Sequence, residues 1–485
     1  MNNKSYPWHL LLVTSLGVLL VTLNLSTLNV ALPELSAYFN AGPIASNWIL
    51  LSYMLFNSIL ILVFGKWADI YGRRRLYLIG LAGFTAVSFL CGFAPNVWVL
   101  IVLRILQAAG GAIIITNTTP MITDAFPERS LGTALGINVL VSSAAQLLGP
   151  VIGGYFVYIL DWRWVFWFNV PIGIIGLVWA SIVLRPVPGK ARGEKMDMYG
   201  NLFIFLSVGG LIFSFSQGSI IGWGSLPVVA GLVMFVVFLV CFIWWERRVS
   251  YPTVDFGMFR DRAYAMANLA TFLNALARSS VVLLVALYFQ VVHKENTFVA
   301  GLHVLPVTAG MILASPIVGA LSSRYSTLAL STSGLLMASI GMLLLSVHTG
   351  VEASYWWIAA GQFLVGFGSG MFMTPNTKSI MLTVPPEKRG VANGLRSMLQ
   401  NIGVVISTAM SLMLVTSVLP ADLKDSIYAG ANAEVSGDDI QLISGGFRLA
   451  FLTLMVLTFI SIAVSYMRNN KSTGKEKNVT ASTTV

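Results

Sequence analysis

Charge is rationed in this sequence, so the places that hold it are the places to look for chemistry. Only 10% of its 485 residues are Asp, Glu, Lys or Arg, yet "GKWADIYGRRR" (65–75) packs one acid and four arginine or lysine neighbours between two apolar runs. Asp69 and Arg73 are four residues apart, a spacing that lets the carboxylate accept from the guanidinium on one helix face. Asp69 also suits the positive N-terminus of a neighbouring helix. Gly65 permits close helix approach and Gly72 a tight turn. The chemistry implied is an ionic latch that holds one conformation and releases in another; Arg74 and Arg75 read as topology determinants.

A second polar set lies inside the apolar runs. Arg104, Gln107 and Gly111 share a helix face, as do Thr271, Asn274 and Arg278. Gln362, Ser369 and Asn376 recur every seven residues, and Asn393, Arg396, Gln400 and Ser407 form another stripe, with Arg396 close enough to a span end to snorkel. A charge at membrane depth costs ~2.5–3.5 kcal/mol on insertion scales and ordinarily faces a cavity or a partner. Two readings stay open for these stripes: a path for a solute or proton, or hydrogen-bonding glue between helices. Enzyme chemistry is not on offer. Cys91 and Cys241 are the only cysteines, His9, His293, His303 and His348 are scattered, and no Asp or Glu sits well inside an apolar run. No metal cluster, cofactor site or nucleophile is expected.

The elements that position these residues are long apolar helices. The chain is 56% hydrophobic, its mean hydropathy is +0.80, and soluble domains carry about 25% charged residues. Fourteen spans are expected, near 8–32, 45–65, 76–94, 97–121, 132–157, 165–184, 199–218, 226–246, 264–291, 299–320, 327–347, 355–377, 391–416 and 447–467. With both termini cytoplasmic, 22 of the 29 Lys and Arg fall on the cytoplasmic side. The net charge of +10 is therefore an inner-face bias and not a nucleic-acid footprint. The loop 417–446 is acidic and reads as external, and the polar tail as disordered.

The sequence also repeats. "PERSLGTALG" from Pro127 returns as "PEKRGVANG" from Pro386, and "GKWADIYG" from Gly65 returns, degenerate, as "GALSSRYS" from Gly319, at offsets of 259 and 254 residues. The expected fold is an all-α integral membrane protein of two pseudo-symmetric six-helix bundles plus two inserted helices: 1–184, an insert 185–263, 264–467, and a tail 468–485. Parallel halves of this kind place a substrate site between them.

The loop 65–75 resembles the signature of the major facilitator superfamily, Gly-x-Leu-Ala-Asp-x-x-Gly-Arg-Arg/Lys, with Trp67 for Leu. "LRILQAAGGA" (103–112) resembles its fourth-helix Arg-x-x-Gln-Gly motif, with Ala108 for Gly. "LLGPVIGG" (147–154) resembles the fifth-helix antiporter motif. "NVALP" (29–33), "WRWVFWFNVPIG" (162–173) and "ERR…P…D…MFR" (246–260) are similar to the fourteen-helix drug:proton antiporters, and the likeness spans 8–467.

The resemblance implies an exporter of small amphiphiles in the bacterial cell membrane, exchanging substrate for protons by alternating access, functional as a monomer in the bilayer and without cofactors. Gly149, Pro150, Gly153 and Gly154 would form a bend associated with export. The expected substrate and proton path is Asn24, Asn29, Arg104, Gln107, Gln146, Asn274, Arg278, Gln362, Asn376 and Gln400. The latch is Gly65, Asp69, Gly72 and Arg73. Family members usually carry an acid where this chain has Asn24, so the coupling acid is unassigned. With Arg104 and Arg278 on cavity helices, neutral or anionic substrates are favoured over dications. The alternatives are a dedicated exporter of one metabolite, siderophore or lipid-like molecule, an uptake symporter, or a membrane sensor.

Overall fold

The computed structural model describes residues 5–186, 189, 193–322, 324–350, 353–420, 423 and 437–468. Most of the loop 417–446, including Lys424, and the tail beyond Arg468 lie outside them. The described residues form helices and no strand. The first half is α1 (Tyr6–Tyr38), α2 (Pro43–Tyr71), α3 (Arg73–Cys91), α4 (Val97–Ala125), α5 (Glu128–Ile159), the short α6 (Trp164–Trp167) and α7 (Asn169–Val183). The inserted pair is α8 (Met198–Ile221) and α9 (Leu226–Glu246). The second half is α10 (Arg262–Arg278), α11 (Ser280–Val291), α12 (Thr297–His303), α13 (Leu305–Leu321), α14 (Thr327–His348), α15 (Tyr355–Thr383), α16 (Arg389–Ser417) and α17 (Gly437–Met467).

Local signals set the ends. Asn96, Asp197, Asp261, Asn296 and Ser326 each accept from a backbone N–H of the helix they open. Gly72, at φ 96°, turns the chain between α2 and α3. Thirteen helical stretches among the described residues are long and apolar enough to cross a membrane. The expected span 355–377 lies within the 29-residue α15, which is long enough but diluted by Gln362, Ser369, Asn376 and Lys378. Three expected spans are segmented: 165–184 into α6 and α7 around Phe168, 264–291 into α10 and α11 around Ser279, and 299–320 into α12 and α13 around Val304.

Apolar clusters bury the interior of each half, and another joins α2 to α8, α10 and α16. The halves meet along two seams, α2 against α16 and α5 against α13. Both seams are backbone-close. A Cβ on Gly65 would stand 2.5 Å from the Gly390 carbonyl, and one on Gly136 2.5 Å from that of Ser315. Of the inserted pair, α8 packs on α2 and α16, across the first seam, and α9 packs on α8. Lys66 of α2 pairs with Glu194 ahead of α8, while Lys388 before α16 pairs with Asp255 at 2.5 Å. That bond holds the Asp255 carboxyl below the usual carboxylate range.

Candidate transport site

The charged loop is built into the first seam. Asp69 closes α2 and is 3% exposed. Its two oxygens accept from the backbone N–H groups of Gly390 and Val391, both at 3.1 Å, at the start of α16. Arg73 donates to Asp69 at 2.9 Å and to the Pro386 carbonyl at 2.9 Å. Asp124, at the end of α4, receives Arg73 at 2.5 Å on one oxygen and Arg389 at 2.6 Å on the other. Two acids and two arginines thus tie the halves together. Neither Asp124 nor Arg389 is among the sequence-expected latch residues; the signal available was Arg389's place in the second copy of the Pro-Glu repeat.

Below this layer α16 also meets α4 through neutral groups. Pro120 has no N–H for the Thr116 carbonyl four residues back, and Asn393 of α16 donates to that carbonyl at 3.0 Å and to Ile115 at 3.1 Å. The same logic explains α5. Pro150 frees the Gln146 carbonyl, and Ser26 of α1 donates to it at 2.9 Å. A Cβ on Gly149 would overlap Ser26, and one on Gly153 would stand 2.6 Å from the Thr27 carbonyl. Gly154 meets only Val30 at 3.8 Å, so packing does not demand a glycine there. The helix runs unbroken through the motif.

Arg104 is fully buried, and instead of lining an open cavity it is sealed within the first half. Its guanidinium donates to Asn24 at 2.7 Å, Gln107 at 2.5 Å and the Ile49 carbonyl at 3.3 Å, and lies 4.3 Å above the Tyr53 ring. Gln107 passes the chain on to Ser88 at 2.7 Å. Every partner is neutral, and Nη2 has none. Tyr53, whose ring supports the cation from α2, is the residue sequence reasoning missed.

Four expected residues do converge. Asn274, Arg278, Asn376 and Gln400 line a narrow pocket with Phe372 and Arg396. Arg396 donates to Asn393 at 3.1 Å and Gln400 at 3.2 Å. Asn376 is spent on structure: it donates to Thr271 at 2.8 Å and accepts from Arg468 at 3.0 Å. Gln362 stands apart, donating to the His303 carbonyl at 2.9 Å. Asn29 and Gln146 are exposed. His303, Phe289 and Tyr355 form an aromatic group, with Glu295 3.0 Å from His303.

Two halves joined by reciprocal seams around buried polar helices are a transporter's arrangement. A sequence model of the Major Facilitator Superfamily matches residues 14–408. The chain belongs to that superfamily. It is 32% identical to the multidrug resistance protein Stp of Mycobacterium tuberculosis over 85% of this chain and 77% of that one. It is 28% identical to the tetracenomycin C resistance and export protein of Streptomyces glaucescens, again over 85% and 77%. The solved human transporter MFSD10 shares the fold at a TM-score of 0.64 and 16% identity, covering 92% of this chain and 99% of that one. This superfamily member is a multi-pass membrane transporter and not an enzyme, of the drug-resistance type.

Proposed function

We propose that the chain exports small amphiphiles from the cell by alternating access in exchange for protons, acting as a monomer in the cell membrane with both termini inside. One observation carries the reading. Asp69 bonds to the backbone of α16 across the halves at the end of the bundle where Tyr6, Arg185 and the charged loop gather. A seam held by charge-assisted hydrogen bonds closes one face and releases when the charge is lost. Exposed Asn29 and Gln146, deeper along α1 and α5, support access from the opposite face. The inner-face bias of Lys and Arg supports placing the closed face in the cytoplasm.

The proton needs a carboxylate, and Asn24 is not one. Among the described residues the buried acids are Asp69, Asp197 and Glu246. Asp69 is the one that touches both halves, so it is the group whose neutralisation reads directly on the seam. The halves would be 1–184 and 264–467, with the insert 185–263 spanning the seam between them. The similarity to proteins named for multidrug resistance and antibiotic export supports outward transport of several compounds over uptake.

The test is efflux of several dyes and antibiotics in everted vesicles, with and without a proton gradient. Accumulation that collapses when the gradient is dissipated is expected. Accumulation of one metabolite only would favour the dedicated exporter, and no accumulation of any compound would remove the reading.

A further inference from the structure

Buried cations need anions, and the second half holds cations without them. Arg278 on α10 and Arg396 on α16 line one pocket, and Arg468 reaches the same neighbourhood through Asn376. Burial pulls Arg468 down to about 10, which leaves it charged at neutral pH. No carboxylate pairs with any of the three among the described residues. Arg396 and Arg468 are met by neutral oxygens. Arg278 has less: Nη1 lies 3.6 Å from the Met311 sulfur, and its buried Nε has no partner.

A guanidinium away from water without a counter-charge is costly; Arg104 meets that cost with neutral oxygens and an aromatic ring, whereas Arg278 has only a sulfur. The pocket's other walls suit an anionic ligand. Asn274 and Gln400 offer amides, whereas Phe372 and Met373 offer apolar surface. In this state the pocket encloses about 10 Å³, room for about one water, so a head group enters only as α10, α15 and α16 draw apart.

We propose that this pocket binds the anionic head group, a carboxylate or sulfonate, of an amphiphilic substrate, with Arg278 and Arg396 as its two prongs. The assignment rests on the export reading and narrows it. Arg278 is the free prong. Arg396 is the coupled one, because the hydrogen bonds it makes to Asn393 connect the pocket to the carbonyls of α4 that Asn393 holds across the seam. An anion that draws Arg396 toward itself pulls on that contact.

The test uses the full-length chain in nanodiscs and two matched probes, 1-pyrenebutyrate and its uncharged amide, with binding followed by fluorescence. The carboxylate is expected to bind about tenfold more tightly than the amide. Arg278→Gln and Arg396→Gln should each bring that ratio close to one, while Arg75→Gln, at an exposed position in the first turn of α3, leaves it unchanged. Thermal melting of each variant shows whether it has folded, and Arg278→Lys, which keeps charge but loses the planar fork, should retain part of the preference. An equal affinity for both probes in the wild-type chain, or a preference that survives both Gln substitutions, overturns the assignment. Adding phosphatidylglycerol to zwitterionic nanodiscs separates the sources of the anion. Competition that depends on Arg278 would give the site to a lipid head group and likewise overturn the substrate assignment. Efflux of the uncharged amide by the wild-type chain in everted vesicles tests the export reading by itself, so either idea can fail without the other.

Discussion

Asn24 sits 2.7 Å from a buried guanidinium and meets it with an amide oxygen. Asn24→Asp would turn that contact into an ion pair in a site where the cation is already desolvated. Bonds to charged groups are worth about 1.5–3 kcal/mol, so the variant should melt higher in detergent, and a lower melting temperature would contradict the geometry. Asp69 makes the opposite case. Asp69→Asn keeps the shape but loses the charge that accepts from Gly390, Val391 and Arg73. Transport at matched expression should fall by tenfold or more, whereas Arg75→Ala should stay near wild type. Equal activity of the two would leave Asp69 a packing residue. Much of this was legible because it is local: Asp69 with Arg73 and Arg104 with Gln107 are four and three residues apart. The contacts Arg389–Asp124 and Asn393–Thr116 join residues 265 and 277 apart. No helical periodicity announces such pairs, since they exist only once the halves have docked.

At the scale of elements, prolines in α4 and α5 are best understood through the carbonyls they release. Pro150→Ala would return an N–H to the Gln146 carbonyl and make Ser26 redundant there. Efflux should weaken while substrate binding persists, and unchanged efflux would reduce the motif to packing. The sequence pointed to a bend at this motif, and the glycines it named are largely explained by α1 lying against them. That partner could not be read from α5 alone. The segment joining α11 to α12 carries a separate expectation. Burial holds the His293 imidazole below its ordinary value of 6.5, with Glu295 acting against that shift and His303 with it. The unfolded segment therefore binds the proton first, and stability conferred by the neutral ring is present above pH 6.5 and declines below it. Amide exchange over 288–303 should quicken as pH drops from 7 to 5, and His293→Gln should flatten that response.

At the scale of the whole molecule, α2 meets α16 along one seam and α5 meets α13 along the other, but the seams are not equal in chemistry. Offset by 254 residues, the position of Asp69 is taken in the second copy by Ser323, a residue outside the described set. Among the described residues, the α5–α13 seam carries the contact of Thr133 to the Gly319 carbonyl at 3.4 Å, and Lys378 of α15 donates to the Ser322 carbonyl at 3.4 Å, with no carboxylate. The α2–α16 seam has the carboxylates, the arginines and α8 laid across it. A door offers the better picture than a rocker: one edge carries the bolt and the other the hinge. Neutralising the bolt should let the α2 edge swing while the α5 edge keeps its spacing. Spin labels across the two edges can follow this, with Asp69→Asn expected to broaden distances at the first and spare the second. On the export reading, and with carboxylates at just the first edge among the described residues, each opening would start from the same side.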